Sequence, residues 1–111
     1  TIVVASLAPA TTAIGHTKVA STSPPSGSRV KAPKSASFTV NGAIKSGKLT
    51  VTGPKGKVAS NGSGARDPRN VRRVLVSLKT GLAAGKYTAS GSWVAADGHR
   101  QTTSFSFTIT K

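Results

Sequence analysis

Residues 86–110, KYTASGSWVAADGHRQTTSFSFTIT, decide the fold, because they read as two β-strands joined by a short polar segment. In the second strand Phe105 and Phe107 alternate with Ser and Thr, so one face is apolar and the other polar. In the first strand Trp93 shares a face with Tyr87 and small residues. We predict that Trp93 packs in a core between two sheets rather than stacking on a ligand.

Outside this hairpin the chain contains further short strands separated by Gly, Pro and Asn turn signals, with no sustained helical period. The longest predicted loop is 60–70. The spacing of strands and turns is typical of an all-β sandwich or small barrel. The candidate strands are 18–22, 35–40, 48–52, 71–78, 86–95 and 102–110.

The length of 111 residues limits the chain to one small domain and excludes large multidomain enzymes. The chain has no Cys, which excludes disulfides, zinc ribbons, iron–sulfur clusters and thiol nucleophiles. It also has no Met, which removes the thioether ligands that select Cu(I).

The N-terminal segment, residues 1–15, is uncharged, rich in Ala and β-branched residues, and too short to span a bilayer. Two interpretations stay open. It is the end of a secretory signal, with the mature protein starting at His16, or it is a retained arm that packs on this domain or on a neighbour. Either way the domain proper is 16–111.

Only four side chains supply a carboxylate or an imidazole, namely His16, Asp67, Asp97 and His99. Asp67 precedes a proline, where Asp commonly starts a turn, so we predict a structural role. Asp97 and His99 flank Gly98. Their side chains either converge on one metal ion or form a turn in which Asp97 caps backbone amides and His99 is solvated.

His16 adds further donors if it is the mature N-terminus, because its α-amine and imidazole Nδ1 can chelate one metal. With Asp97 and His99 the set becomes three nitrogens and one oxygen. Such a set suits tetragonal Cu(II).

Four short motifs follow one another along the chain. They are a Ser-Pro-Gly segment at 21–28, Leu-x-x-Gly-x-Tyr at 82–87, Trp-Val-Ala-Ala-Asp-Gly-His at 93–99 and Phe-Ser-Phe at 105–107. In this order the chain resembles the CopC-type periplasmic copper-binding proteins over residues 16–111. The resemblance implies a seven-stranded Greek-key sandwich, cupredoxin-like or immunoglobulin-like in form.

The resemblance also implies one bound Cu(II), with amine and imidazole nitrogens from His16, an oxygen from Asp97 and a nitrogen from His99. The expected function is copper storage, delivery or resistance without catalysis, in the periplasm, outside the cell or at the cell envelope. The chain departs from the family pattern in having Asn41-Gly42-Ala43 in a region where an acidic residue is frequent, and in lacking a Met-rich Cu(I) site. Its net charge of +14 also departs, because nearby cations repel Cu(II).

That charge supports an alternative function, a basic accessory module that assembles through its N-terminal arm or meets an acidic protein, a membrane complex or an anionic envelope polymer. Nucleic acid is disfavoured as a partner because few aromatics are left to stack on bases. An oxidative enzyme with a histidine brace is disfavoured by the extra ligand Asp97 and by the short chain. Hydrolysis by a pair of carboxylates is not supported either, because Asp67 and Asp97 are the only acidic residues of the chain.

Overall fold

The computed structural model of the protein describes residues 17–111. The predicted signal remnant or arm at 1–15 and the candidate ligand His16 lie outside the described residues. The domain boundary at residue 16 therefore stays a prediction. Within 17–111, no helix has the length and apolar character needed to cross a membrane.

Two four-stranded sheets pack face to face as a β-sandwich, and a single 3-10 turn at Pro54–Gly56 follows one of the strands. The strands are β1 (Val19–Ser23), β2 (Arg29–Lys31), β3 (Ser35–Val40), β4 (Ile44–Thr52), β5 (Ala65–Arg66), β6 (Arg73–Ser77), β7 (Gly85–Ala95) and β8 (Arg100–Thr110). The first sheet has the order β1-β3-β6-β5 and the second the order β2-β8-β7-β4. Neighbouring strands pair antiparallel except β2 and β8, which are parallel.

The all-β Greek-key sandwich predicted from the sequence is confirmed, with eight strands in the described part of the chain rather than seven. The sequence pattern had shown neither β2 nor β5. These strands have three and two residues, too few for an alternating pattern to emerge. β5 falls inside the predicted loop 60–70.

The core lies between the sheets and contains the inward-facing residues of every long strand. Trp93 of β7 is 3% exposed, and its ring centroid lies 5.5 Å from that of Phe38 on β3 in the opposite sheet. The predicted placement of Trp93 between two sheets is confirmed. Phe38 also packs over Gly91, where an added Cβ would lie 2.5 Å from the ring.

The hairpin β7–β8 extends from the pair Gly85↔Ile109 to the pair Val94↔Arg100. It is the longest pairing in the second sheet, because both strands have eleven residues. The tight connection at 96–99 carries the Asp-Gly-His sequence. This turn therefore sits on the most extensively paired part of the described chain.

Asp67 stabilises the turn between β5 and β6, as the sequence predicted. Its side chain is 2% exposed and its Oδ1 accepts a 2.9 Å hydrogen bond from the backbone N–H of Arg69. Guanidinium nitrogens of Arg69 and Arg73 each lie 3.7 Å from the carboxylate. The buried charge thus has a capping bond and two cations, which accounts for its burial.

Candidate metal site

Asp97 and His99 are brought together by a tight turn rather than by an extended segment. The N–H of Gly98 donates to the carbonyl of Ala95, and the N–H of Ala95 donates to the carbonyl of His99, both at 2.9 Å. Gly98 has a φ of +91°, a backbone conformation that favours glycine. The glycine between the two polar residues therefore permits the turn that pairs them.

The two oxygens of Asp97 have separate contacts. Oδ1 accepts a hydrogen bond of 3.0 Å from the backbone N–H of His99, and Oδ2 lies 2.9 Å from His99 Nδ1. The turn with Asp97 as its cap, one of the two alternatives from the sequence, is present, and the imidazole of His99 also contacts the carboxylate of Asp97 directly. Convergence of the two side chains on one metal ion stays a prediction. The His99 side chain is 67% exposed and that of Asp97 29% exposed, so both are reachable from solvent.

Thr17, the first described residue, is held next to this turn by Gln101 on β8. The Thr17 N–H and hydroxyl donate to Gln101 Oε1 at 3.1 and 3.2 Å, and Gln101 Nε2 donates to the Thr17 carbonyl at 2.9 Å. We call these bonds the Thr17 clamp. Gln101 follows His99 by two residues, so the clamp lies at the base of the Asp-Gly-His turn.

Two further side chains support the clamp. The indole N–H of Trp93 donates to the Thr17 hydroxyl at 2.6 Å, so the buried Trp has a hydrogen-bond partner. Asn41 Oδ1 accepts from the N–H of Lys18 at 3.0 Å, and the Asn41 N–H donates to the Lys18 carbonyl at 3.0 Å. Asn41 thus fixes the backbone that follows Thr17.

The site lies at a basic end of the sandwich. Ile44 pairs with Ala95 just before the turn, and its carbonyl accepts a 2.9 Å hydrogen bond from Arg66 Nη1. Arg100 directly follows His99 and is exposed. These cations oppose the approach of a dication, while the Asp97 carboxylate favours it.

Within 17–111, no group of three or more His, Asp or Glu side chains could hold a metal ion. Asp97 can supply a carboxylate oxygen ligand and His99 an imidazole nitrogen ligand. Asp67 cannot join them, because it is buried in the turn between β5 and β6, where it contacts Arg69 and Arg73. A fuller ligand set would need donors from outside the described residues. His16, the remaining candidate, lies there.

Sequence reasoning missed the two residues of the Thr17 clamp, Thr17 and Gln101, and the supporting role of Asn41. One signal was present, because Gln101 falls on the same side of β8 as Phe105 and Phe107, so a polar side chain points inward. An inward polar residue needs a hydrogen-bond partner. Its partner, 84 residues away along the chain, could not be identified from this pattern.

The fold agrees with the comparisons with known proteins. The CopC domain family matches residues 19–110, and the chain therefore belongs to the CopC family. The resemblance stated from the sequence is thus confirmed. No curated protein sequence matches the chain.

Solved structures of this fold include CopC from Methylosinus trichosporium OB3b, with 22% identity and a TM-score of 0.69 over 85% of this chain and 93% of that chain. PcoC, a methionine-rich copper resistance protein from Escherichia coli, has 23% identity and a TM-score of 0.69 over 86% of this chain and 99% of that chain. At this identity the likeness shows the shared fold. The present chain contains no methionine.

Proposed function

We propose that this protein binds one Cu(II) ion for copper storage, delivery or resistance, through His16, Asp97 and His99. The observation that carries the proposal is the 2.9 Å contact between Asp97 and His99 beside the clamped residue Thr17. The structural relative PcoC from Escherichia coli is a copper resistance protein, which supports copper as the metal.

The Thr17 clamp supports the participation of His16 because Thr17 N is the atom to which residue 16 is joined. That nitrogen lies 3.1 Å from Gln101 Oε1, two residues along the chain from His99. A ligand attached at this point needs little further ordering of the chain to reach the same ion as His99.

The donor chemistry favours Cu(II) over Cu(I). Imidazole, amine and carboxylate ligands suit Cu(II), whereas Cu(I) is selected by thiolates and thioethers. The chain has neither Cys nor Met. We therefore propose a carrier of one oxidation state, without catalysis, acting in the periplasm, outside the cell or at the cell envelope.

The test compares a chain beginning at His16 with the chain that retains residues 1–15, by spin resonance during Cu(II) titration. In the longer chain the nitrogen of His16 is part of a peptide bond and cannot complete the chelate ring. We expect one tightly bound Cu(II) in the shorter chain. The longer chain should bind orders of magnitude more weakly and lose one nitrogen ligand from the spectrum.

Two substitutions complete the test in the shorter chain. His99→Gln and Asp97→Asn should each weaken binding, whereas Asp67→Asn, which removes the other acid of the chain, should leave Cu(II) affinity unchanged. Equal binding by the two chain lengths would contradict the terminal chelate. Absence of binding by both would instead favour the basic accessory module.

Acidification should release the copper, because protons compete with the metal for the imidazole and amine nitrogens. A Cu(II) titration repeated at decreasing pH measures this loss. Retention of full affinity in acid would show that the ligands are not these nitrogens.

A further inference from the structure

The outer face of the second sheet carries a regular array of hydroxyl groups. The pairing of β4, β7 and β8 places residues in rows across the sheet, and two adjacent rows lie near its middle. We call the six outward side chains of these rows the hydroxyl face. They are Lys48, Ser92 and Thr102 in one row and Thr50, Ser90 and Ser104 in the next.

The orientation of these side chains follows from strand alternation. Leu49, Ala89 and Phe105 are buried, so the residues next to them in sequence point to the opposite side of the sheet. Five of the six members of the hydroxyl face are exposed, and Ser92 is half-buried. The face is therefore presented to solvent rather than to the core.

The hydroxyl face contains a shallow depression with a volume of about 400 Å³, in the size range of small-molecule sites. Its lining residues include five of the six members of the hydroxyl face, namely Lys48, Thr50, Ser90, Ser92 and Thr102. The ligand it fits would present hydroxyl or carbonyl groups to these donors and acceptors. The ligand would also carry a negatively charged group that pairs with the Lys48 ammonium.

Two more cations lie on the same side of the sheet, one towards each end. Arg100 pairs with Val94 at one end of β7 and Lys86 lies near the other end, eight residues away. At about 3.3 Å per residue this separation is roughly 26 Å. A ligand that met both cations and the depression would be an extended polymer with repeated negative charges.

The residues absent from this face narrow the choice of polymer. The only two acids of the chain, Asp67 and Asp97, lie in the two turns described above, so no carboxylate on this face repels an anion. The one Trp, the one Tyr and the three Phe are all buried, which leaves no ring to stack on nucleobases. The face also lacks the aromatic anchors that dominate protein interfaces.

We propose that the hydroxyl face binds a carboxylated polysaccharide. One sugar unit occupies the depression with its carboxylate at Lys48, and further carboxylates of the same strand meet Lys86 and Arg100. Sugar hydroxyls exchange hydrogen bonds with the serine and threonine side chains. Arg100 directly follows His99, but neither Asp97 nor His99 lines the depression, so the proposed binding needs no copper.

The test uses the full chain, freed of metal, and measures binding to polygalacturonate by calorimetry at low salt. Poly-glutamate supplies negative charge without sugar hydroxyls, and dextran supplies sugar hydroxyls without charge. We expect polygalacturonate to bind more tightly than either. Because of the roughly 26 Å span, oligomers shorter than this span should bind more weakly than longer ones.

Matched substitutions locate the binding surface. Ser90→Glu places a negative charge at the centre of the face, and Thr80→Glu makes the same change in the exposed loop after β6. Since like charges in contact repel each other, Ser90→Glu should weaken polygalacturonate binding by at least about tenfold and Thr80→Glu far less. Lys48→Gln and Lys57→Gln form a second pair, in which only Lys48→Gln should weaken binding severalfold.

Ser104→Glu tests the same face from β8 if Ser90→Glu fails to fold, as judged by circular dichroism. Equal effects of Ser90→Glu and Thr80→Glu would overturn the proposal in favour of general attraction to the charge of the chain. Equal affinity for poly-glutamate and polygalacturonate would overturn it in favour of an acidic protein. Absence of binding to polygalacturonate would also overturn it, whatever the copper titrations show.

Discussion

Removing the Gln101 side chain tests whether the Thr17 clamp positions a copper ligand. Gln101→Ala eliminates three hydrogen bonds to Thr17, two of which share Oε1. Each such bond has a net contribution of about 0.5–1.5 kcal/mol, and water can replace part of it at this half-buried site. We expect the free energy of unfolding to fall by about 1–2 kcal/mol.

The effect on copper affinity follows from chain ordering. Without the clamp, Thr17 keeps only the hydrogen bond from the Trp93 indole to its hydroxyl, so most of its ordering must occur when the metal binds. Fixing one residue completely costs about 1–2 kcal/mol. In the chain that starts at His16, Cu(II) should therefore bind roughly 5- to 30-fold more weakly. The backbone of Lys18 keeps its two hydrogen bonds to Asn41 in this variant. Among the described residues, only Thr17 therefore loses order.

The assay combines urea unfolding, followed by Trp93 fluorescence, with Cu(II) titration against a competing chelator. Thr103→Ala is the matched control, because Thr103 is also half-buried and lies on the same side of β8. It should lower stability slightly and leave copper affinity unchanged. A Gln101→Ala variant with reduced stability but unchanged Cu(II) affinity would refute a positioning role for the clamp.

Three predictions concern the fold. Trp93→Ala should cost about 3–5 kcal/mol of unfolding free energy, because it leaves a cavity beside Phe38; an unchanged melting temperature would contradict this. Gly91→Ala should cost about 1–3 kcal/mol in urea unfolding, because its Cβ would lie 2.5 Å from the Phe38 ring. A Gly91→Ala variant more stable than the parent protein would show that the Phe38 ring can shift to make room for the methyl group. Asp67→Ala should cost about 1–3 kcal/mol by removing the acceptor for the Arg69 N–H, and equal stability in thermal unfolding would argue against the turn as a structural element.

The strand pattern and the proximity of Asp97 to His99 could be predicted from the sequence because both depend on local order. Alternation with period two identified β7 and β8 and the inward side of Trp93. The scarcity of carboxylates and imidazoles narrowed the candidates to four residues. The spacing in Asp97-Gly98-His99 left two predictions open, namely two ligand-type side chains close together on an extended segment, or a turn capped by Asp97 with His99 solvated.

Only the tertiary structure showed what surrounds these residues. Thr17 and Gln101 are 84 positions apart and meet because β8 and the segment before β1 come together at one end of the sandwich. The rows of the hydroxyl face likewise depend on the registers of β4, β7 and β8. A local pattern fixes which side of a strand each residue occupies, but cross-strand neighbours are set by long-range pairing and packing. One residue of register shift would turn every side chain to the other face.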